Sequence, residues 1–199
     1  MNKTLTTLKI LAVAALAVAL GACNTISKET ESSSIIIIQS ITGTTMAGET
    51  VAYLESDVLD QDGLVRANNA TANILVRLVN PGSISGPSQF NDVVLTNYRV
   101  TYELPTGPGT PGTDVPMPFD GNFSTILCQV DETTSIPFVV VLEAAKQSAP
   151  LVGLIGTSTV LERRAKIEIF GHDLTDHPVT ATGYLTIRFA DYQGAQPIR

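Results

Sequence analysis

The chain has 199 residues, 12 basic and 19 acidic side chains, a formal net charge of −7, two cysteines and no tryptophan. That balance opposes nucleic-acid binding, which needs positive charge concentrated against phosphates, and two cysteines rule out a disulfide framework. A chain this long, 44% hydrophobic, can build its core from apolar burial alone.

At the N-terminus, Lys3 and Lys9 bracket a positive segment, and Ile10 to Leu20 (ILAVAALAVAL) is an unbroken run of eleven apolar residues. Eleven are too few to cross a bilayer core, which takes about 20, but they suit the apolar region of an export signal. Leu20-Gly21-Ala22-Cys23 closes the run and resembles the lipobox of bacterial lipoproteins. In that family the chain is cut before the cysteine, whose thiol and new amine are then acylated. The resemblance implies a lipid on Cys23 and a protein anchored to a membrane without spanning it. Residue 24 is Asn rather than Asp, which by the same resemblance favours the outer membrane of the cell envelope. The competing readings are a secretory signal with an incidental cysteine and an uncleaved anchor. Cleavage would remove two lysines and no acid, moving the net charge to −9, so the lipid and not a basic face would contact the membrane.

Asn24 to Ser34 (NTISKETESSS) is polar and unpatterned, and reads as a flexible tether. The chain thus divides into a signal (1–22), a lipidated cysteine with its tether (23–34) and one domain (35–199). Ile35 to Ile38 is β-branched on both faces and predicts a buried strand. Another strand is expected over Thr50 to Leu59. In Ala72 to Val79, Ile74, Val76 and Leu78 alternate with Asn73, Leu75 and Arg77. Asp92 to Leu95 runs into a second alternation, Tyr98, Val100, Tyr102 and Leu104, whose tyrosines are read as core. Pro105 to Asn122 holds five prolines and four glycines and is expected to be an exposed loop. Phe123 to Val130 is strand-like, and the continuous run Ile136 to Leu142 (IPFVVVL) predicts a central strand. One helical turn is expected at Glu143 to Gln147 before Pro150, and a second at Val160 to Ala165. Ser148 to Ser158 fits neither period. Arg164 to Phe170 and Leu185 to Phe189 complete about eight strands, so the expected fold is all-β, an antiparallel two-sheet sandwich.

That strand pattern resembles immunoglobulin-like and fibronectin-like sandwiches. Without tryptophan or a cysteine pair between sheets, the antibody type is excluded. The hairpin from Arg164 to Tyr192, with GHDLTDHP as its connection, is similar to the closing hairpin of uncharacterised bacterial lipoproteins with such domains. The resemblance implies no activity.

Two polar clusters are candidate metal sites. His172, Asp173, Asp176 and His177 share one turn, and His with Asp can hold zinc or another divalent ion. Their spacing is not that of a helical metal pair, and Asp and Gly are also ordinary turn residues. Asp57, Asp60 and Asp62 precede Gly63 and suggest calcium. Placing Asp60, Asp62 and Gly63 on loop positions 3, 5 and 6 of an EF-hand puts Val58 at position 1 and Asn69 at 12, so that template fails. The calcium reading strengthens if both turns share one end of the sandwich. Cys128, within the strand-like Phe123 to Cys128, is expected to be a buried, inert thiol. No nucleophile elbow, phosphate loop or HExxH occurs, which points away from an enzyme. The scattered tyrosines give little support to a sugar platform. The expectation is a lipid-anchored, non-enzymatic interaction or assembly module whose partner is another envelope protein. Its expected contact surfaces are the 105–122 loop and any unpaired strand edge. The alternative is a calcium- or small-ligand-binding module, carbohydrate included.

Overall fold

In the computed structural model, which describes residues 31–60, 62–82 and 88–192, ten strands form two sheets. The expected signal (1–22), Cys23, the expected tether as far as residue 30 and the tail 193–199 lie outside the described residues. The four-stranded sheet has the order β2 (Thr50–Val51), β1 (Ser34–Thr44), β4 (Asn68–Leu78) and β8 (Thr133–Val141). The six-stranded sheet begins with β3 (Tyr53–Asp57), β10 (Pro178–Ala190), β9 (Leu161–Asp173) and β5 (Val93–Leu104). β5 then pairs with β6 (Gly107–Pro108) at one end and with β7 (Phe119–Cys128) along the rest. All pairings between these strands are antiparallel except β3 on β10. The two sheets pack face to face, sandwich-like, around one apolar cluster.

The alternation read from the sequence sets these faces. Ala72, Ile74 and Val76 of β4 and Ile136, Phe138 and Val140 of β8 meet Tyr98, Val100, Ile167, Ile169, Leu185 and Ile187 from the opposite sheet. Burial of such side chains is worth roughly 25 cal/mol per Å² and supplies the main drive to fold. Two strands change phase midway. In β5, Val93 and Leu95 point inward, then Tyr98 and Val100, because a bulge at Thr96 inserts one residue. In β1 a bulge at Gln39 likewise carries the inward face from Ile36 to Ile41.

Several expectations need correction. Ile35 and Ile37 are exposed, not buried on both faces, because the outer side of β1 meets solvent. Ile136 to Leu142 is not central: β8 is an edge strand, and Pro137, which has no N–H to donate, fits there. Val160 to Ala165 is not helical but opens β9, held by the cross-strand ion pairs Arg164 to Glu103 and Arg188 to Glu162. The expected 50–59 strand divides at Ala52, with β2 in one sheet and β3 in the other. The 105–122 segment is a pinned turn more than a free loop. Val115 is fully buried, and Arg163 Nε donates to the Asp114 carbonyl at 2.7 Å. The expected helical turn is α1 (Glu143–Lys146), and a short 3-10 helix at Leu151–Leu154 accounts for the segment that fitted neither period.

The register defines two ends. At the near end, where the chain enters at Ser33, β1 and β5 begin and β4 and β9 finish. There Ser34 Oγ donates to the Asn91 carbonyl, tying the two sheets. At the far end lie Asp57, Leu104, Val141 and Ala190. β10 runs between them for 13 residues, roughly 40 Å.

Candidate functional site

β7 and β8 are the outer strands of the two sheets on the same flank, joined through Gln129 to Glu132 but not hydrogen-bonded to each other. Between them lies a cleft of about 410 Å³. Tyr98 makes its floor. Its ring lies 4.9 Å from that of Phe123 and 5.2 Å from that of Phe138, centroid to centroid. Gly121 admits this arrangement, since a Cβ there would run into the tyrosine ring. Asn69, Asn122 and Ser124 supply the polar side of the lining, which contains no charged side chain.

The cleft owes its shape to an irregular β7. Leu95 pairs with Ile126 and Asn97 with Asn122, so Phe123, Ser124 and Thr125 all face the single residue Thr96. Thr125 takes φ 48°, a left-handed conformation uncommon outside glycine and asparagine. Such bulges redirect side chains and concentrate beside binding sites. The result is a neutral recess that offers aromatic contact together with amide and hydroxyl hydrogen bonds.

The predicted acidic clusters stand at opposite ends of β10, so the condition that strengthened the calcium reading is not met. At the near end Asp173 organises its turn from a buried position. Its Oδ1 accepts from Thr175 N at 2.8 Å, Thr175 Oγ1 at 2.6 Å and His177 N at 3.0 Å. His172 Nδ1 stands 3.6 Å from Asp176, whose side chain is 96% exposed. At the far end Asp60 accepts from the N–H groups of Asp62 and Leu64 and from Arg66 Nε. The Arg66 guanidinium, with these amides, holds the Asp60 carboxyl below its usual range. Asp62 lies 4.0 Å from the same arginine. Among the described residues no group of three or more His, Cys, Asp or Glu is arranged to hold a metal ion.

Asp57 is separate from its sequence neighbours. It is buried, its Oδ1 accepts from Tyr192 N at 3.1 Å, and its Oδ2 has no hydrogen-bond partner among the described residues. Burial pushes its carboxyl upward, and nearby Asp191 adds to that rise. Lys146, 2% exposed, donates Nζ to the Asp57 carbonyl at 2.5 Å, and burial brings its pKa down to about 8. Asp191, also buried, accepts from Gly156 N at 2.7 Å. Lys146 and Asp191 escaped sequence reasoning. The available signal was that Lys146 is the only basic residue between Arg99 and Arg163, at the end of a mostly apolar stretch. Cys128 is fully buried at the end of β7, and burial raises its thiol, as an inert cysteine requires.

The described chain is therefore a mostly antiparallel, two-sheet β protein with a neutral cleft on one flank and a buried Lys–Asp group at its far end. No protein-family model matches it, and no curated protein matches it significantly. Among the described residues no helix is long and apolar enough to cross a membrane.

Proposed function

We propose that this chain is a lipid-anchored protein of the bacterial cell envelope, held at the outer membrane through Cys23, that works without catalysis by engaging another envelope protein. Its domain is immunoglobulin-like. The supporting features are the parallel pairing of β3 with β10, the switch of the chain from one sheet to the other at Ala52, and the closing β9–β10 hairpin. The observation that carries the interaction reading is the cleft between β7 and β8. Among the described residues each strand there has one unpaired edge, able to accept an extended partner segment, and the recess between them takes apolar side chains. The pinned 107–118 turn is the weaker contact surface, because its Val115 serves the core.

The test is capture of partners from crosslinked envelopes by the native protein, Cys23→Ala and Ser124→Arg. Ser124 is exposed on the cleft, so an arginine fills the recess without entering the core. A defined partner set lost with Ser124→Arg supports this reading. An unchanged set in Ser124→Arg would reject the cleft as the contact.

The uncharged lining with Tyr98, Phe123 and Phe138 favours one second reading, a neutral small ligand such as a carbohydrate. Direct titration with neutral mono- and disaccharides separates the two: saturable binding, abolished by Ser124→Arg, would select the ligand reading. The calcium variant of that reading rests on the Asp57, Asp60 and Asp62 turn. It predicts a melting temperature that rises with added calcium.

A further inference from the structure

The near end of the domain carries apolar side chains that the core does not use. Ile35 and Ile37 project from the outer face of β1, and Val79, 60% exposed, follows the end of β4. The β1–β4 register places them together. Ile35 is opposite Arg77, Ile37 opposite Leu75, and Val79 N donates to the Ser33 carbonyl. Phe90, 58% exposed, joins them on the 3-10 turn Gln89–Asn91, where Asn91 Nδ2 donates to Ser33 Oγ at 2.7 Å. These residues surround the point where the chain enters the fold. Elsewhere, Met46, Leu64 and Met117 stand on separate turns, which is ordinary for a surface, and Val152 and Ile155 form a smaller pair on the 3-10 helix Leu151–Leu154 and its cap.

Chain length keeps this patch close to Cys23. Cys23 and Ser33 are ten residues apart, a reach of at most about 36 Å. The far end stands a further 40 Å away, roughly the length of β10. A lipid on Cys23 would thus bring the near end to the bilayer first. The mature net charge of −9 gives no general attraction to phospholipid headgroups, and Arg77 is paired with Asp131 at 3.3 Å. Apolar side chains are therefore what the near end has to offer a lipid surface, and this patch carries them.

We infer that Ile35, Ile37, Val79 and Phe90 rest on the lipid surface that holds Cys23, so that the domain stands on its near end with the far end directed outward. The inference depends on the lipoprotein reading above. The absence of tryptophan supplies a clean probe. Lipidated Val79→Trp would be reconstituted into phosphatidylcholine vesicles with and without bromine on the acyl chains. The expected result is blue-shifted emission that loses most of its intensity to bromine and recovers it when Ile35→Ser and Ile37→Ser are added. Leu64→Trp, on the far-end loop before β4, should be untouched by bromine. Emission from Val79→Trp that stays water-like and unquenched, on protein whose mass shows acylated Cys23, overturns the inference and leaves the anchor standing. A mass without acyl chains overturns both.

Discussion

Lys146 Nζ lies 2.5 Å from the main-chain oxygen of Asp57, so a buried ammonium is held by a carbonyl and α1 is pinned to the end of β3. Removing the charge from water is what brings this lysine to about 8. In the unfolded chain a lysine titrates near 10.4, so between those values the unfolded state binds more protons and stability rises with pH. Urea unfolding at pH 7 and pH 9.5 should show wild type gaining about 2 kcal/mol relative to Lys146→Met across that window. Equal pH dependence in the two proteins would mean that Lys146 is not desolvated. Measurements belong below pH 10, because Tyr192, pushed by burial to about 12, then acts in the opposite direction.

Asp57 has the converse sign. Its carboxyl is raised in the folded chain, so the folded state holds the proton more tightly, and stability is lost as pH rises through the folded value. Asp57→Asn imitates the protonated form and keeps an acceptor for Tyr192 N. It should stabilise the protein at pH 7 by about 1 kcal/mol and lose that advantage at pH 4, as read by thermal melts at both values.

Gly121→Ala should destabilise by about 1 to 3 kcal/mol, since its methyl would enter the Tyr98 ring and force it to move. The same variant shifts the floor of the cleft, so a denaturation curve and a partner-capture assay should change together.

The GHDLTDHP turn separates a structural acid from a dispensable one. Asp173→Ala leaves three donors without their buried acceptor and should cost about 2 to 4 kcal/mol. Asp176, exposed and at φ 65°, should accept glycine with no loss or a gain of up to about 1 kcal/mol. Paired melting curves of the two variants decide this. Equal costs would show that the turn depends on both aspartates.

Much of the sandwich was legible because period-two alternation is a local signal: Ile74, Val76, Tyr98, Val100, Leu185 and Ile187 all face inward as read. The bulge at Thr96 was legible in principle, since the apolar phase changes between Leu95 and Tyr98. Whether a strand is central or peripheral depends on pairings distant in sequence, and Pro137 was the one local sign that β8 is an edge. At Val160 to Ala165 the helix propensity of Glu and Arg gave way to ion pairs with Glu103 and Arg188, which no local window contains. The cleft was invisible for a similar reason: Tyr98, Phe123 and Phe138 converge from three strands and two sheets. Asp57 was noted for its acidic neighbours, yet its contacts are with Lys146 and Tyr192, far along the chain.

The antiparallel seating of β1 on β4 has a mechanical consequence. A pull between Ser33 and the far end of β10 acts along β1, not across it, and the eight paired positions from Ser34 to Thr42 share the load together. Tension then has to slide the whole strand instead of peeling it away one pair at a time. β1 can thereby carry force from Ser33 into the fold without unzipping.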